Sequence, residues 1–539
     1  MLMPLLVAAN LVLINGKVWT GDEKVRFVEA VAVEGNRIVA AGTTEAVLAA
    51  APRGARSIDL RGRLAVPGFI DNHVHFLDGG FQLSRVSLRD AASPSEFARR
   101  IGEFATRAGK GAWITGGEWD EQLWNPYQLP TRQMIDAATP ENPVFVSRLD
   151  GHMALANSVA LRMAGVTKES KDPPGGTIVR DVAGEPTGLL KDAAMDAVFR
   201  IIPAPSIADR VAAARAGLRE AARFGVTSFC DMSGSDAHDD LRAYQQIERG
   251  GGLTARIYLF TPIAQYERMA GANIEKRFGG GRLRIGALKG FADGSLGSST
   301  AGFYEPFVGE PDNRGLMMES MADGSMRKRI LAADAANLQI GIHAIGDKAN
   351  DDVLTIFESV PNARERRFRI EHAQHLNDAL IKRFAANRIT ASMQPYHAID
   401  DGRWAEKKIG HARAMGTYAF RSLLDAGAVL TFGSDWTVAP LNPILGIYAA
   451  VTRRTIDGKN PQGWIPEQKI TVEEALRCYT VNNAWAMFAE NEVGRIAPGM
   501  LADIAVLSGD LFTIPPEKIE SVLVDMTIAD GDVVFERKP

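Results

Sequence analysis

Eight apolar β-type runs alternating with helical stretches constrain this chain more than any other feature of it. They fall at about 66–75, 226–232, 254–261, 284–292, 339–345, 368–374, 389–395 and 428–435. Strand-length apolar runs separated by helix-length segments, such as 207–224 and 326–337, are the signature of parallel α/β architecture. Eight such units predict a (β/α)8 TIM barrel, in which functional residues gather at the C-terminal ends of the strands. One interval is abnormal. Residues 76–225 separate the first run from the second, far more than one helix and its loops need, and carry β-type pieces of their own at 112–117 and 143–147. This segment is read as an inserted cap subdomain over the barrel mouth, where loops build sites.

The two ends of the chain read differently. Short alternating strands with turn signals occupy 10–65, and similar runs return at 493–507 and 522–535. Neither end is large enough to bury a sheet core alone, so the two are expected to combine into one small β-sandwich. The expected partition is 1–65 with 490–539 as the sandwich and 66–489 as the barrel, with 76–225 inserted in it. Asn15-Gly16 and Gly35-Asn36 are read as hairpin turns. Gly175-Gly176 and the glycines after Phe278 are read as turn punctuation, not phosphate loops.

With 539 residues, 46% hydrophobic and 23% charged, the chain has the composition of a globular protein with room for more than one domain. A net charge of −4 argues against a general nucleic-acid binder. The two cysteines, Cys230 and Cys478, suggest no disulfide framework. No apolar stretch is long enough to span a bilayer. The apolar start, Met1 to Asn10, lacks the basic flank of a secretory signal. A cytoplasmic protein acting on a small molecule is expected, the alternative being export with a trimmed signal.

The polar residues at the strand ends carry the chemistry. The first run ends in His73-Val74-His75, and period-2 alternation puts both imidazoles on one side together with Asp71. The fifth run places His343 near its C-terminal end, the sixth places His372 there, and the eighth ends in Asp435. A lone strand histidine is more often structural. Four histidines and an aspartate at one end of a barrel are a metal-ligand set. Lys289 sits inside the apolar fourth run. A buried ammonium is costly and its pKa falls, and the resulting neutral amine reacts with CO2 to give a carbamate suited to bridging two cations. The competing reading pairs Lys289 with Asp293 or with a substrate carboxylate. Cys230 ends the second run and is read as a buried inert thiol, or else as an alternative ligand.

Weaker signals surround this set. His152 in the insertion is read either as a surface or cap-packing residue or as a substrate or oxyanion contact, and His397 after the seventh run as a candidate substrate contact. Trp119, Trp124, Tyr396, Trp404 and Trp436 are expected to ring the mouth, either lining an apolar pocket for an aromatic or aliphatic substituent, Trp119, Tyr396 and Trp436 above all, or packing cap against barrel. His375 is out of strand phase and is read as lying behind the ligands or at the surface. His238 and His411 are read as surface residues.

The strings Pro67-Gly-Phe-Ile-Asp-Asn-His73-Val-His75, Lys289-Gly-Phe-Ala-Asp-Gly-Ser, His343-Ala-Ile-Gly-Asp, Glu371-His-Ala-Gln and Phe432-Gly-Ser-Asp-Trp together resemble the amidohydrolase superfamily. The likeness is to the YtcJ-like branch that includes N-substituted formamide deformylase, and it covers nearly the whole chain. It implies a binuclear centre. His73, His75 and Asp435 resemble the ligands of the more buried ion, His343 and His372 those of the second, and a carboxylated Lys289 the bridge between them. Two divalent ions, zinc by ligand type, are implied as cofactors. The implied reaction is hydrolysis of a non-peptide C–N bond, in an amide or an N-formyl or N-acyl amine. A metal-bridging hydroxide attacks, and Asp435 carries the proton to the leaving amine. The alternatives are a cyclic amide, carbamate or ester at the same site, or a retired binding or regulatory protein. A homodimer is also implied.

Overall fold

The computed structural model describes residues 10–538 apart from 122–123, 149–152, 174–175, 235–236 and 298. The eight apolar runs are eight parallel strands of one sheet: β1 (Phe69–Val74), β2 (Val226–Met232), β3 (Arg256–Pro262), β4 (Leu283–Phe291), β5 (Gln339–Ala344), β6 (Arg369–His372), β7 (Thr390–Met393) and β8 (Val429–Phe432). They pair in chain order, each with the next. Apolar side chains bury both faces of these strands, which explains why the runs read as continuous rather than alternating. Helices such as Ile207–Arg223 and Ser325–Ala335 lie between successive strands in the chain.

The sheet nearly closes on itself, and three features join β1 to β8. The Asp435 N–H donates to the His73 carbonyl at 2.7 Å, and the His75 N–H donates to the Trp436 carbonyl at 2.7 Å. Below them the buried Asn483 amide donates to the carbonyls of Ile70 at 2.5 Å and Phe432 at 2.8 Å. Gly433 permits the approach, since a Cβ there would lie 2.5 Å from the His73 nitrogen. The ends of the first and last strands are thus tied at the level of the histidine pair.

By its internal contacts the chain divides into Met1–Phe76 with Gly217–Pro539, and Leu77–Ala216. In the first unit, strands from both ends of the chain share one sheet. Lys17–Trp19 and Leu64–Pro67 stand beside Ile504–Leu507, Val524–Ala529 and Asp532–Glu536. A second sheet holds Leu11–Ile14, Ala30–Glu34, Arg37–Gly42 and Arg56–Asp59. One apolar cluster draws on both: Leu11, Leu13, Val31 and Val33 pack with Ile504, Val506, Met526 and Ile528. Gly35-Asn36 does turn a hairpin, between Ala30–Glu34 and Arg37–Gly42. Asn15-Gly16 does not. Its flanking strands belong to different sheets, and the turn carries the chain from one to the other.

The second unit has its own mixed sheet, and period-2 alternation gives that sheet two buried faces. Val146, Leu155 and Leu189 point into a cluster with Phe97, Ile101, Trp119 and Trp124. Phe145, Ala154 and Leu190 point into another with Leu161, Ile178 and Val198. The helix Pro94–Ala108 covers the first face with Phe97, Ile101 and Ala105, capped by Ser93 with Pro94 at its first position.

Candidate metal centre

The residues singled out at the strand ends do come together. Ligand atoms of His73, His372 and Asp435, all buried, lie within 4.8 Å of one another. Lys289 Nζ lies 3.4 Å from His73 Nε2. His75 Nε2 lies 3.4 Å from Asp435 Oδ1. The His343 ring sits 4.5 Å, centroid to centroid, from that of His372. Two of these groups hang on uncommon backbone. His372 and Asp435 both have left-handed φ, at +74° and +56°, without being glycine. Such conformations cost of order 1–3 kcal/mol and persist where the surroundings impose them, often at functional sites.

His73, His343 and His372 each have one ring nitrogen committed to an acceptor outside the cluster. His73 Nδ1 meets the Glu371 carboxylate at 2.6 Å. His372 Nδ1 meets Gln394 Oε1 at 2.8 Å. His343 Nε2 meets the Gly294 carbonyl at 3.0 Å. An acceptor on one nitrogen fixes the N–H there and leaves the lone pair on the other, the arrangement that metal-ligating histidines use. Burial keeps all three uncharged. It holds His73 and His372 well below the usual imidazole range and His343 down at about 4, with the charge of Lys289 adding to the effect at His73 and His343. For Asp435 burial works against ionisation, but the field of the neighbouring basic groups, Lys289 among them, more than offsets it and keeps its pKa low. Its Oδ1 is nevertheless buried without a hydrogen-bond partner. A buried, ionised oxygen without a hydrogen-bond partner, 3.6 Å from the uncharged His73 imidazole, suits a cation, so the donor set fits a divalent ion.

A polar floor lies beneath the ligands. Arg369 and Glu371 alternate on β6 and are fully buried. The guanidinium donates to both Glu371 oxygens, at 2.8 and 3.0 Å, and to the Asn72 carbonyl at 2.7 Å. Asn72 donates in turn to Ser392 and Thr431. The register between β1 and β2 slips between Asp71 and Val74, so that Phe229 opposes Asp71 while Asp231 opposes Val74. This bulge breaks strict alternation, and both Asn72 and His73 reach this network. Asp71 does not join the imidazoles as the alternation predicts. Its Oδ1 accepts the N–H groups of His73 and Ser434 at the β1–β8 junction, its Oδ2 is unpartnered, and burial raises its pKa to about 7.

Burial also lowers Lys289, to about 8. The alternative partner Asp293 is spent elsewhere, accepting the N–H groups of Gly302 and Gly346 at 2.8 Å and Ile345 at 3.0 Å. Cys230 is buried against Arg369, with its thiol pushed up to about 11 by desolvation, which favours the inert reading over ligation.

The outer calls divide. His397 follows β7 with Nε2 buried and unpartnered, and Tyr396 beside it is half-buried. His152 lies outside the described residues. Trp119 has no open face. It is fully buried against Phe97 in the core of its own unit, with its indole N–H on the Val146 carbonyl, and Trp124 packs likewise. Trp436 is 5% exposed and packs on Phe76. Large aromatic area is worth most when buried, and Trp119 and Trp124 serve the core of their own unit rather than a pocket wall, while Trp404 is half-buried. His375 is buried and bonded to Thr417, not at the surface. His238 and His411 are exposed. The sequence reading missed Arg369, Glu371 and Gln394. Two charged residues at period 2 inside an apolar barrel strand were the available signal for the first two.

Fold and site define a class: a parallel eight-stranded barrel with a candidate metal cluster at the C-terminal ends of its strands. The particular family follows from comparison. The profile of the amidohydrolase family (Amidohydro_3) matches residues 56–535, and the chain belongs to that family. It is 39% identical to Protein LONG AFTER FAR-RED 3 of Arabidopsis thaliana, over 93% of this chain and 88% of that one. It is 31% identical to the putative amidohydrolase YtcJ of Bacillus subtilis, covering 97% and 99%. N-substituted formamide deformylase of Arthrobacter pascens is 27% identical over 98% of each chain. Among solved structures, an uncharacterized metal-dependent hydrolase from Pyrococcus horikoshii superposes with a TM-score of 0.79 at 28% identity, covering 94% of this chain and 99% of that one. Among the described residues, no helix is long and apolar enough to cross a membrane.

Proposed function

We propose that this chain hydrolyses a non-peptide C–N bond, in an amide or an N-formyl or N-acyl amine, at a pair of divalent ions. The observation that carries the reading is the convergence of His73, His372 and the unpartnered Asp435 oxygen. His73, His75 and Asp435 would hold one ion and His343 and His372 the other, with zinc favoured by the His/carboxylate set. Ions bound there would lower the pKa of a water and polarise the scissile carbonyl.

The chain's own residues supply the rest. Lys289, with its pKa near 8, exposes a neutral amine whose lone pair attacks CO2, loses a proton and becomes an anionic carbamate between the two ligand groups. Asp435 accepts the proton of the attacking water and returns it to the departing nitrogen, which leaves poorly without it. Its low pKa keeps it ionised, and so available to accept that proton, at neutral pH. His397, buried and without a partner at Nε2, and Tyr396 beside it would contact the substrate, a role the free Nε2 supports. The N-substituted formamide substrate named for one relative fits the same reading.

Product analysis on formamides, N-acyl amines, lactams, carbamates and esters tests the proposal. Release of a free amine from acyclic amides is expected from metal-replete protein. Turnover confined to lactams, carbamates or esters would replace the reading with the cyclic-amide or ester alternative, and no turnover of any of them would refute it.

A further inference from the structure

The aromatic residues expected at the mouth are mostly packed away, yet one aromatic side chain stands open beside the cluster. Phe291 is the last residue of β4, and it is 46% exposed on a strand otherwise buried from Ile285 onward. A single exposed apolar residue is ordinary on a protein surface and by itself means little. Its position is what matters. Phe291 is two residues beyond Lys289, hence on the same strand face. Its ring centroid lies 4.9 Å from Lys289 Nζ and 5.3 Å from the His343 ring. The ring therefore flanks both the lysine and one of the histidines read as ligands. Any group bound between those two side chains has the Phe291 ring as a neighbour.

We infer that Phe291 is a specificity-determining residue, the apolar face that receives the hydrophobic substituent of the substrate, an aromatic ring in preference to a small alkyl group. This deepens the reading of the site as an amide hydrolase and rests on it. The physical basis is that a ring stacked or edge-on against phenylalanine gains the area it removes from water together with the aromatic contact, whereas a methyl group gains little of either. Trp119 and Trp124 cannot supply that face, because both are buried in the core of their own unit.

The test compares N-methylacetamide with N-benzylacetamide and N-methyl-2-phenylacetamide, which carry the ring on the nitrogen side and the acyl side respectively. Metal-replete wild type is expected to show higher kcat/KM for at least one ring-bearing amide. Phe291→Ala should lower kcat/KM for that amide about tenfold more than for N-methylacetamide, mainly through KM, and Phe291→Leu should fall between them. Metal content is measured in each variant. A loss in Phe291→Ala that is equal for all three amides would overturn the inference, because the ring would then serve only to shield Lys289. Absence of any ring preference in wild type would overturn it as well. If no amide is turned over, the functional proposal fails separately. Calorimetric binding of N-benzylacetamide to metal-free wild type and Phe291→Ala then decides the role of Phe291. Weaker binding in the variant supports it, and equal or absent binding refutes it.

Discussion

The floor and the rim of the cluster are built on opposite principles. Beneath the ligands, Arg369, Glu371, Asn72 and Ser392 are buried and bonded to one another, so that little is left for a ligand to satisfy. Above it, Asp435 Oδ1 and His397 Nε2 are buried without partners, and the Phe291 ring is open. A saturated polar network rigidifies, since moving one member strands the others in low dielectric. Unsatisfied groups wait for an occupant. On the proposed function the floor would orient and the rim would do the chemistry, so substitutions in the two should fail in different ways.

The largest effect is expected at the rim. Asp435→Asn should lower kcat by about a thousandfold, because it removes the proton carrier as well as a ligand charge. Its thermal stability should change far less than its rate, as followed by calorimetry beside steady-state assays. A variant that loses fold and activity together would erase the distinction from the floor.

Glu371→Gln probes the floor. It leaves Arg369 buried without its counter-charge and weakens the acceptor on His73 Nδ1. A broken buried pair costs about 3–5 kcal/mol, and loss of the group that orients a ligand about 10–100-fold in metal affinity. Denaturant melts and metal titrations read the two separately. The double variant Arg369→Met with Glu371→Leu should recover much of the stability and none of the affinity. Recovery of both would show that the floor does not orient His73.

A smaller effect should come from pH acting on Lys289. Burial lowers its pKa to about 8, so its reactive neutral fraction rises about 25-fold between pH 6.5 and 8.5 and flattens above about pH 9. The rate at which bicarbonate and metal activate metal-free protein should follow that curve. A flat profile would mean that free amine at Lys289 does not limit activation. The smallest effect is expected for Cys230→Ala, which removes a buried thiol from beside Arg369. It should cost about 1 kcal/mol in a denaturant melt and leave metal affinity within about twofold. A large loss of metal would restore the thiol as a ligand.

How much of this was legible in the sequence follows the same division. The barrel strands were legible because strands buried on both faces leave long apolar runs. His73, His75, Lys289, His343, His372 and Asp435 were legible because polar groups at the ends of such runs need a reason to be there. The floor was less so. Asn72 reaches it through a bulge in β1, and period-2 reading cannot place a bulge. Gln394 matters through one hydrogen bond to His372, and no spacing announces it. Trp119 and Trp124 were ambiguous because residue type marks a pocket wall and a core anchor equally well. Phe291 was hidden in plain view, two residues past Lys289 on the same face.

The central claim is that these six side chains hold a pair of ions bridged through Lys289. Metal analysis of protein purified with zinc and bicarbonate tests it most directly, with Lys289→Ala measured alongside. The account predicts about two equivalents per chain in the wild type and one or fewer in the variant. One equivalent in both, or two in both, would contradict it.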